Sequence, residues 1–222
     1  MKTLIVCAGK NENFSFAKSI GVGLVEASIG LSELVLAQKP EKLIFIGTCG
    51  LYNKRAKNES DLKSAILGAQ SLTNERDKSL IKKGEKSLTN EKGENKPAIK
   101  LLEIYESAHC FNIEASKLTN DFYSPAECEI NLDVSYETKK CNSSNYICTD
   151  EKIAMKFANL GLELENMESF AVLSVAKHFG ISATCFLCAT NFCDTKAHEF
   201  FLQNHAQAKK NLENFLQEKN LI

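Results

Sequence analysis

Four places in the chain join a residue able to do chemistry to the end of an apolar, strand-like run. Glu12 follows the run 4–8, and GTCG, residues 47–50, closes the run 43–46. Met167 and Glu168 follow the run 162–165, and Asn191 follows the run 183–190. In an α/β sheet, strand ends that point the same way open into one crevice, and a glycine-rich turn there exposes backbone N–H groups to a ligand. Glu168 stands out because the stretch ENMESFAVLSVAKHFG, residues 165–180, turns almost wholly apolar after it. A carboxylate at the start of a buried helix either faces the positive end of the helix dipole or waits for a polar ligand.

The elements that must position these residues alternate. Apolar or β-branched runs at 4–8, 43–46, 99–105, 145–149, 162–165 and 183–190 read as strands, and helical patterns fall at 24–38, 151–160, 169–179 and 197–218. Such alternation predicts one α/β domain over residues 1–222, a mixed central sheet flanked by helices. The last helix is the clearest: Ala197, Phe200, Phe201, Asn204, Ala208, Leu212, Phe215 and Leu216 trace one face. Asp194 and Thr195 precede it as a natural N-cap pair. Residues 53–97 differ in kind, holding 11 Lys and Arg against 7 Asp and Glu and few large apolar side chains. SLTNERDK at 71–78 returns imperfectly as SLTNEKGE at 87–94, a repeat too isolated for a solenoid. The stretch reads as a solvated low-complexity insertion between two strands, with weak helicity near 62–70.

Composition narrows the function classes. The 222 residues, 44% of them hydrophobic, suffice for a real core, and a net charge of −1 supplies no general field favouring nucleic acid or a membrane surface. No apolar stretch reaches the roughly 20 residues that span a bilayer. The opening MKTLIVCAGKNENF has too short an apolar run for a secretory signal and reads as a first strand. Nine cysteines, several inside apolar runs, read as reduced, cytoplasmic thiols used as small hydrophobes.

Three familiar patterns fail on inspection. GVG at 21–23 lacks the third glycine of a dinucleotide fingerprint, since residue 26 is Glu. Cys185 and Cys188 mimic a CxxC pair, but residues three apart on a strand point to opposite faces and cannot hold one ion together. His109, His178, His198 and His205 show no zinc-ligand spacing, and His178 and His205 fit helix surfaces. No metal and no cofactor is expected.

Taken in order, GVGLVEASIG, KPEKLIFIGTCG, ENMESFAVLSVAKHFGI and CATNFCD resemble the purine nucleoside phosphorylase and methylthioadenosine/adenosylhomocysteine nucleosidase superfamily. The likeness runs over most of the chain outside 53–97, and MES after a strand is its most specific part. It implies cleavage of the N-glycosidic bond of a purine nucleoside, a place in purine salvage, and a homodimer or larger assembly in which a neighbour helps close the pocket. It implies that Met167 and Glu168 hold the ribose, the carboxylate accepting from sugar hydroxyls, which give it partners without a buried counter-ion. Thr48, Gly47 and Gly50 belong to the substrate-binding turn in this reading.

The chain departs from the nucleosidases at Asn191, where they carry the aspartate that protonates the purine. An amide has no proton to give at neutral pH, but it can donate to a 6-oxo group while its carbonyl accepts from a purine N–H. That favours inosine, guanosine or futalosine type substrates. Lys152 stands near where an aromatic residue often meets the base. Phosphorylases of the superfamily clamp phosphate with arginines, one of them just before the glycine turn, where this chain has Phe45. Its two arginines, Arg55 and Arg76, lie in the insertion. Phosphate as a co-substrate would rely on backbone N–H groups, Thr48 and a lysine, whereas Glu12 falls where the nucleosidases place the base that activates water. Hydrolysis is slightly favoured; phosphorolysis and binding without cleavage remain alternatives.

Overall fold

A computed structural model describes residues 2–52, 99–119, 121–133 and 138–222. The proposed insertion at 53–97, its repeat and both arginines lie outside the described residues.

The core of the sheet is built from strands β1 (Thr3–Cys7), β3 (Lys42–Leu51) and β9 (Ser182–Phe192), which run parallel with β3 in the middle. The short strand β2 (Lys18–Ser19) extends the sheet beyond β1 in parallel, and β4 (Ile104–Ser107) pairs antiparallel with β9. At its far end β3 also meets β8 (Leu164–Glu165) antiparallel. From β8 the sheet continues through parallel β7 (Lys140–Asn142) and β5 (His109–Phe111) to antiparallel β6 (Glu129–Asn131). The sheet is therefore mixed.

Helices cover both faces of the central strands, which explains their nearly unbroken apolar character. Leu43 and Phe45 face helices α1 (Gly23–Gln38) and α3 (Ser169–Phe179), packing with Leu31, Val35, Leu173 and Ala176. Their alternates Ile44 and Ile46 point the other way, toward Leu216 of α4 (Ala197–Glu218), as the two-residue period of a strand requires. Cys185 and Cys188 divide between these two faces, and all nine cysteines are unpaired. Helix α2 (Glu151–Asn159) closes a smaller cluster of Tyr52, Phe157, Leu162 and Cys193.

The four helices predicted within the described residues match within a residue at each end, and the weak helicity near 62–70 lies outside them. The strands need four corrections. GTCG is no turn: β3 continues through Gly47, Thr48 and Gly50 to Leu51, because β9 on one side and β8 on the other keep pairing with it, with a bulge between Cys49 and Gly50. Residues 145–149 form a loop, not a strand, their backbone held by side chains instead of a neighbouring ladder. The run 99–105 becomes extended only at Ile104, after a turn that puts Leu102 at positive φ. Strands β5, β6 and β7, three residues each, are too short to show a period in sequence. At α4 the N-cap position belongs to Lys196; the Asp194 carboxylate instead accepts from the Lys196 N–H, one step outside the helix, at 2.8 Å.

Candidate active site

The carboxyl ends of β1, β3 and β9 lie side by side, and the start of α3 reaches the same place through β8. Each sequence-predicted site residue sits on one of these ends.

Glu12 is brought there by a tight turn after β1. Gly9 lies at φ +92, where a Cβ would strike the Ser19 hydroxyl, so only glycine fits. The Glu12 N–H returns to the Gly9 carbonyl at 3.0 Å, and Asn13 clasps the Lys10 carbonyl at 2.7 Å. One carboxylate oxygen of Glu12 accepts two bonds from Thr48, from its N–H at 3.2 Å and from its hydroxyl. The other, Oε2, is buried without a partner. Burial pushes the Glu12 carboxyl up from its ordinary value, against the two Thr48 donors that pull it down.

Glu168 is buried at the N-cap position of α3, yet its carboxylate makes no bond to that helix. Asn166 does the capping: its Oδ1 accepts from the Glu168 N–H at 2.9 Å, and from both the N–H and the hydroxyl of Ser169 at 2.8 Å. The Ser143 hydroxyl takes the Phe170 N–H at 3.0 Å. Capping of α3 is therefore not the task of the Glu168 carboxylate. Its Oε1 instead accepts the Gly23 N–H at 2.8 Å, 145 residues away in sequence. The GVG segment, unfit for a dinucleotide, has this other task. Gly23 is at φ +82, and a Cβ there would come within 2.8 Å of Asn145 Oδ1, which accepts the Leu24 N–H at 3.0 Å. Burial, reinforced by the charge of Glu12, pushes the Glu168 carboxyl up to about 7, with the Gly23 N–H opposing.

Asn166 is a residue that motif reasoning passed over. Besides capping α3, its amide donates to the Thr48 carbonyl at 2.9 Å, so one side chain joins the support of Glu12 to the helix that carries Glu168. Gly47 lets Glu12 approach β3: a Cβ on it would sit 2.9 Å from Glu12 Oε2 and 3.2 Å from the Phe45 ring. Met167 is half-buried beside Glu168, and Thr48 is buried against Glu12 and Asn166.

Asn191 is buried on β9 opposite Gly50. Its Oδ1 accepts the Thr190 hydroxyl at 2.9 Å, and its Nδ2 donates to the Phe192 carbonyl at 3.1 Å. Lys152 is exposed on the first turn of α2, and the loop before it exposes Tyr146 and Ile147. His178 is exposed as expected. His205, expected on the helix surface, is half-buried against Phe201, with its Nε2 lacking a partner. Among the described residues, no group of three or more His, Cys, Asp or Glu side chains could hold a metal ion, and no helix is long and apolar enough to cross a membrane.

Sequence analysis missed Glu165, buried two residues before Met167. Its carboxylate accepts the Tyr52 hydroxyl at 3.1 Å and the Cys148 N–H at 3.0 Å, and lies 3.5 Å from the Cys193 thiol. Its only signal was an acidic residue ending an apolar run, which looked like a strand edge.

A mixed sheet flanked by helices, with acidic and amide side chains gathered at the ends of its parallel strands, is the architecture of the nucleoside phosphorylase and nucleosidase fold. Residues 4–218 match the family model of the phosphorylase superfamily, and the chain belongs to that superfamily. No curated protein matches the sequence significantly. Solved structures do match in fold. A mutant of the 5′-methylthioadenosine/S-adenosylhomocysteine nucleosidase of Helicobacter pylori, with 5′-methylthioadenosine in its active site, aligns at a TM-score of 0.63 and 12% identity over 98% of each chain. A futalosine hydrolase mutant from Helicobacter pylori aligns at 0.64 and 11%, covering 98% of this chain and all of that one. A Borrelia burgdorferi protein assigned as a nucleosidase of the first type, bound to adenine, aligns at 0.65 and 12%, covering 99% of this chain and 100% of its own.

Proposed function

We propose that the protein hydrolyses the N-glycosidic bond of a purine nucleoside, with Glu12 as the base that activates water, Glu168 and Met167 holding the ribose, and Asn191 reading the purine. The observation that carries this reading is the Glu12–Thr48 pair. Thr48 spends both its N–H and its hydroxyl on one oxygen of Glu12, which leaves the second oxygen buried and unpartnered, the arrangement a general base needs. The same contacts disfavour phosphorolysis, because a phosphate at this strand end would compete with Glu12 for the Thr48 donors. Burial makes Glu12 more basic than a free carboxylate, which suits proton abstraction from water near neutrality.

The substrate class follows from Asn191. An amide serves a 6-oxopurine as donor to O6, so inosine, guanosine or futalosine type nucleosides are the proposed substrates. The fold neighbours, a futalosine hydrolase and methylthioadenosine/adenosylhomocysteine nucleosidases among them, support cleavage of a purine N-glycosidic bond, while the choice of base rests on Asn191. Incubation with inosine, with and without inorganic phosphate, and assay of free hypoxanthine tests it. Hypoxanthine with ribose in phosphate-free buffer supports hydrolysis. Release only with phosphate replaces water by phosphate as nucleophile, and no release in either buffer defeats the reading.

The active unit is proposed to be a homodimer or larger. One face of α1 packs on α3, and the helix leaves Val25, Ile29 and Leu36 exposed, an apolar surface suited to a second copy. Sedimentation at micromolar concentration showing a monomer would refute it.

A further inference from the structure

We infer that Lys209 is a positioning residue for the catalytic base: from α4 it clamps the turn that carries Glu12 and lends its positive charge to the carboxylate. This rests on the reading of the protein as a purine nucleosidase and adds a residue of the last helix to that site.

The turn is one that needs holding. Gly9 at φ +92 and Lys10 at φ +54 both lie in the left-handed region, which a lysine adopts rarely. Inside the turn the Glu12 N–H takes the Gly9 carbonyl and Asn13 takes the Lys10 carbonyl. The Asn11 carbonyl is met from outside: Lys209 Nζ donates to it at 3.4 Å, from 198 residues away in sequence. The same ammonium lies 5.2 Å from the centre of the Phe14 ring. Phe14 itself packs in the cluster of Cys188 with Ala208 and Leu212 of α4. Half-buried Lys209 therefore grips the chain on both sides of Glu12, before it at Asn11 and after it at Phe14. Helical spacing sets Phe201, His205 and Lys209 in line along α4. Burial, and then the Lys209 charge, hold His205 below its ordinary value, so that imidazole is neutral at pH 7 and Lys209 is the cation of the line.

The charge acts in the same direction as the hold. Burial raises the Glu12 carboxyl, the Thr48 hydroxyl and N–H oppose it, and the Lys209 charge opposes it further. The other titratable groups that sense the Glu12 charge are Cys7 on β1, Cys49 on β3 and Glu168 beside α3. All three are raised, burial first, and none of them brings a positive charge to Glu12. The lysine should count most in mildly acid solution, where Glu12 must stay ionised to accept a proton from water, while its grip on the turn counts at every pH.

Inosine cleavage by the parent, Lys209→Met and Lys209→Arg over pH 5 to 9, with amide hydrogen exchange over residues 9–16, tests the assignment. Methionine keeps an unbranched stem but carries no ammonium; arginine keeps the charge and stacks on an aromatic ring. In Lys209→Met, kcat/KM should fall about tenfold at pH 6 and about threefold at pH 8.5, through kcat, with KM within about twofold. Its acid limb should move to higher pH, because a carboxylate without its cation holds a proton more tightly. Exchange at the Glu12 amide should quicken at least about fivefold. Lys209→Arg should stay within about threefold of the parent in both measurements. An unmoved acid limb or unchanged exchange in Lys209→Met overturns the assignment, as does an arginine variant no better than the methionine one. If Lys209→Met does not fold, Lys209→Gln, which keeps a donor but no charge, decides by the same limb. A parent that releases no hypoxanthine at any pH overturns the nucleosidase reading itself, and the base that Lys209 serves with it.

Discussion

Thr48 gives both of its hydrogen-bond donors to a single oxygen of Glu12, and the other oxygen of that carboxylate is buried with no partner. Because the two donors favour the charged form, removing one must make Glu12 harder to ionise. Thr48→Val keeps the backbone bond and the shape but deletes the hydroxyl. The acid limb of kcat/KM should move to higher pH, so the loss should be about tenfold at pH 6 and smaller at pH 8.5. An unmoved limb in the pH–rate profile would detach Thr48 from the base.

Glu168 ties activity to instability. Its carboxyl is raised from 4.5 to about 7 in the folded protein, so the native state binds the proton more tightly than the unfolded chain does. The stability this group contributes is full below about 4.5 and is lost as pH rises through about 7, an interval worth on the order of 3 kcal/mol. Glu168→Gln should therefore raise Tm at pH 8, with the gain shrinking toward pH 5. It should also lower kcat/KM at least about tenfold, as charge-assisted bonds to the sugar hydroxyls weaken. Thermal melts at both pH values, beside steady-state kinetics, check the pair of effects.

Gly47 should tolerate no side chain without loss of function. A Cβ there sits 2.9 Å from Glu12 Oε2 and 3.2 Å from the Phe45 ring, and the ring is locked in the core. Gly47→Ala must push the Glu12 carboxylate off its place, and a misplacement of about 1 Å can cost 10²-fold in rate. The variant should fold, since β3 keeps its ladder, and should cleave inosine about 10²-fold more slowly. Circular dichroism and the hypoxanthine assay separate the two.

Asn191 should set the preference for the base. An unpaired buried donor costs about 1–3 kcal/mol, so inosine should outrun adenosine by roughly ten- to hundredfold in the parent. Asn191→Asp should narrow or reverse that ratio, because a protonated carboxyl serves N7 of either base. Equal rates on both nucleosides in the parent, with activity lost only in Asp194→Ala, would move the assignment to Asp194.

Asn166 should be worth more than an ordinary cap. Asn166→Ala removes the acceptor for three donors at the start of α3 and the donor to the Thr48 carbonyl. Destabilisation of about 2 kcal/mol or more is expected by urea melt. Asn166→Asp keeps the acceptor and should recover part of the stability while leaving activity low, since a third acidic group then faces Glu12 and Glu168.

The helices and the parallel core strands were legible in the sequence because periodicity is a local property, and the family was legible through the resemblance of its short motifs, MES above all. Apolar spacing alone places α1, α3 and α4, and the nearly unbroken apolar runs at 43–46 and 183–190 follow from burial on both faces. Glu12, Glu168 and Asn191 could be picked out for the same reason, each being a polar group just past an apolar run. What tertiary structure alone decided is what those groups touch. No spacing rule links Gly23 to Glu168 across 145 residues, or tells that Asn166 rather than Glu168 caps α3. GTCG looked like a turn because glycine is a turn former, and it is a strand because two neighbours hold its backbone. Glu165 read only as the last residue of the short run 162–165. Its burial among Tyr52, Cys148 and Cys193 comes from three distant segments closing over it, and whether a carboxyl keeps its proton depends on that enclosure, which the local sequence does not encode.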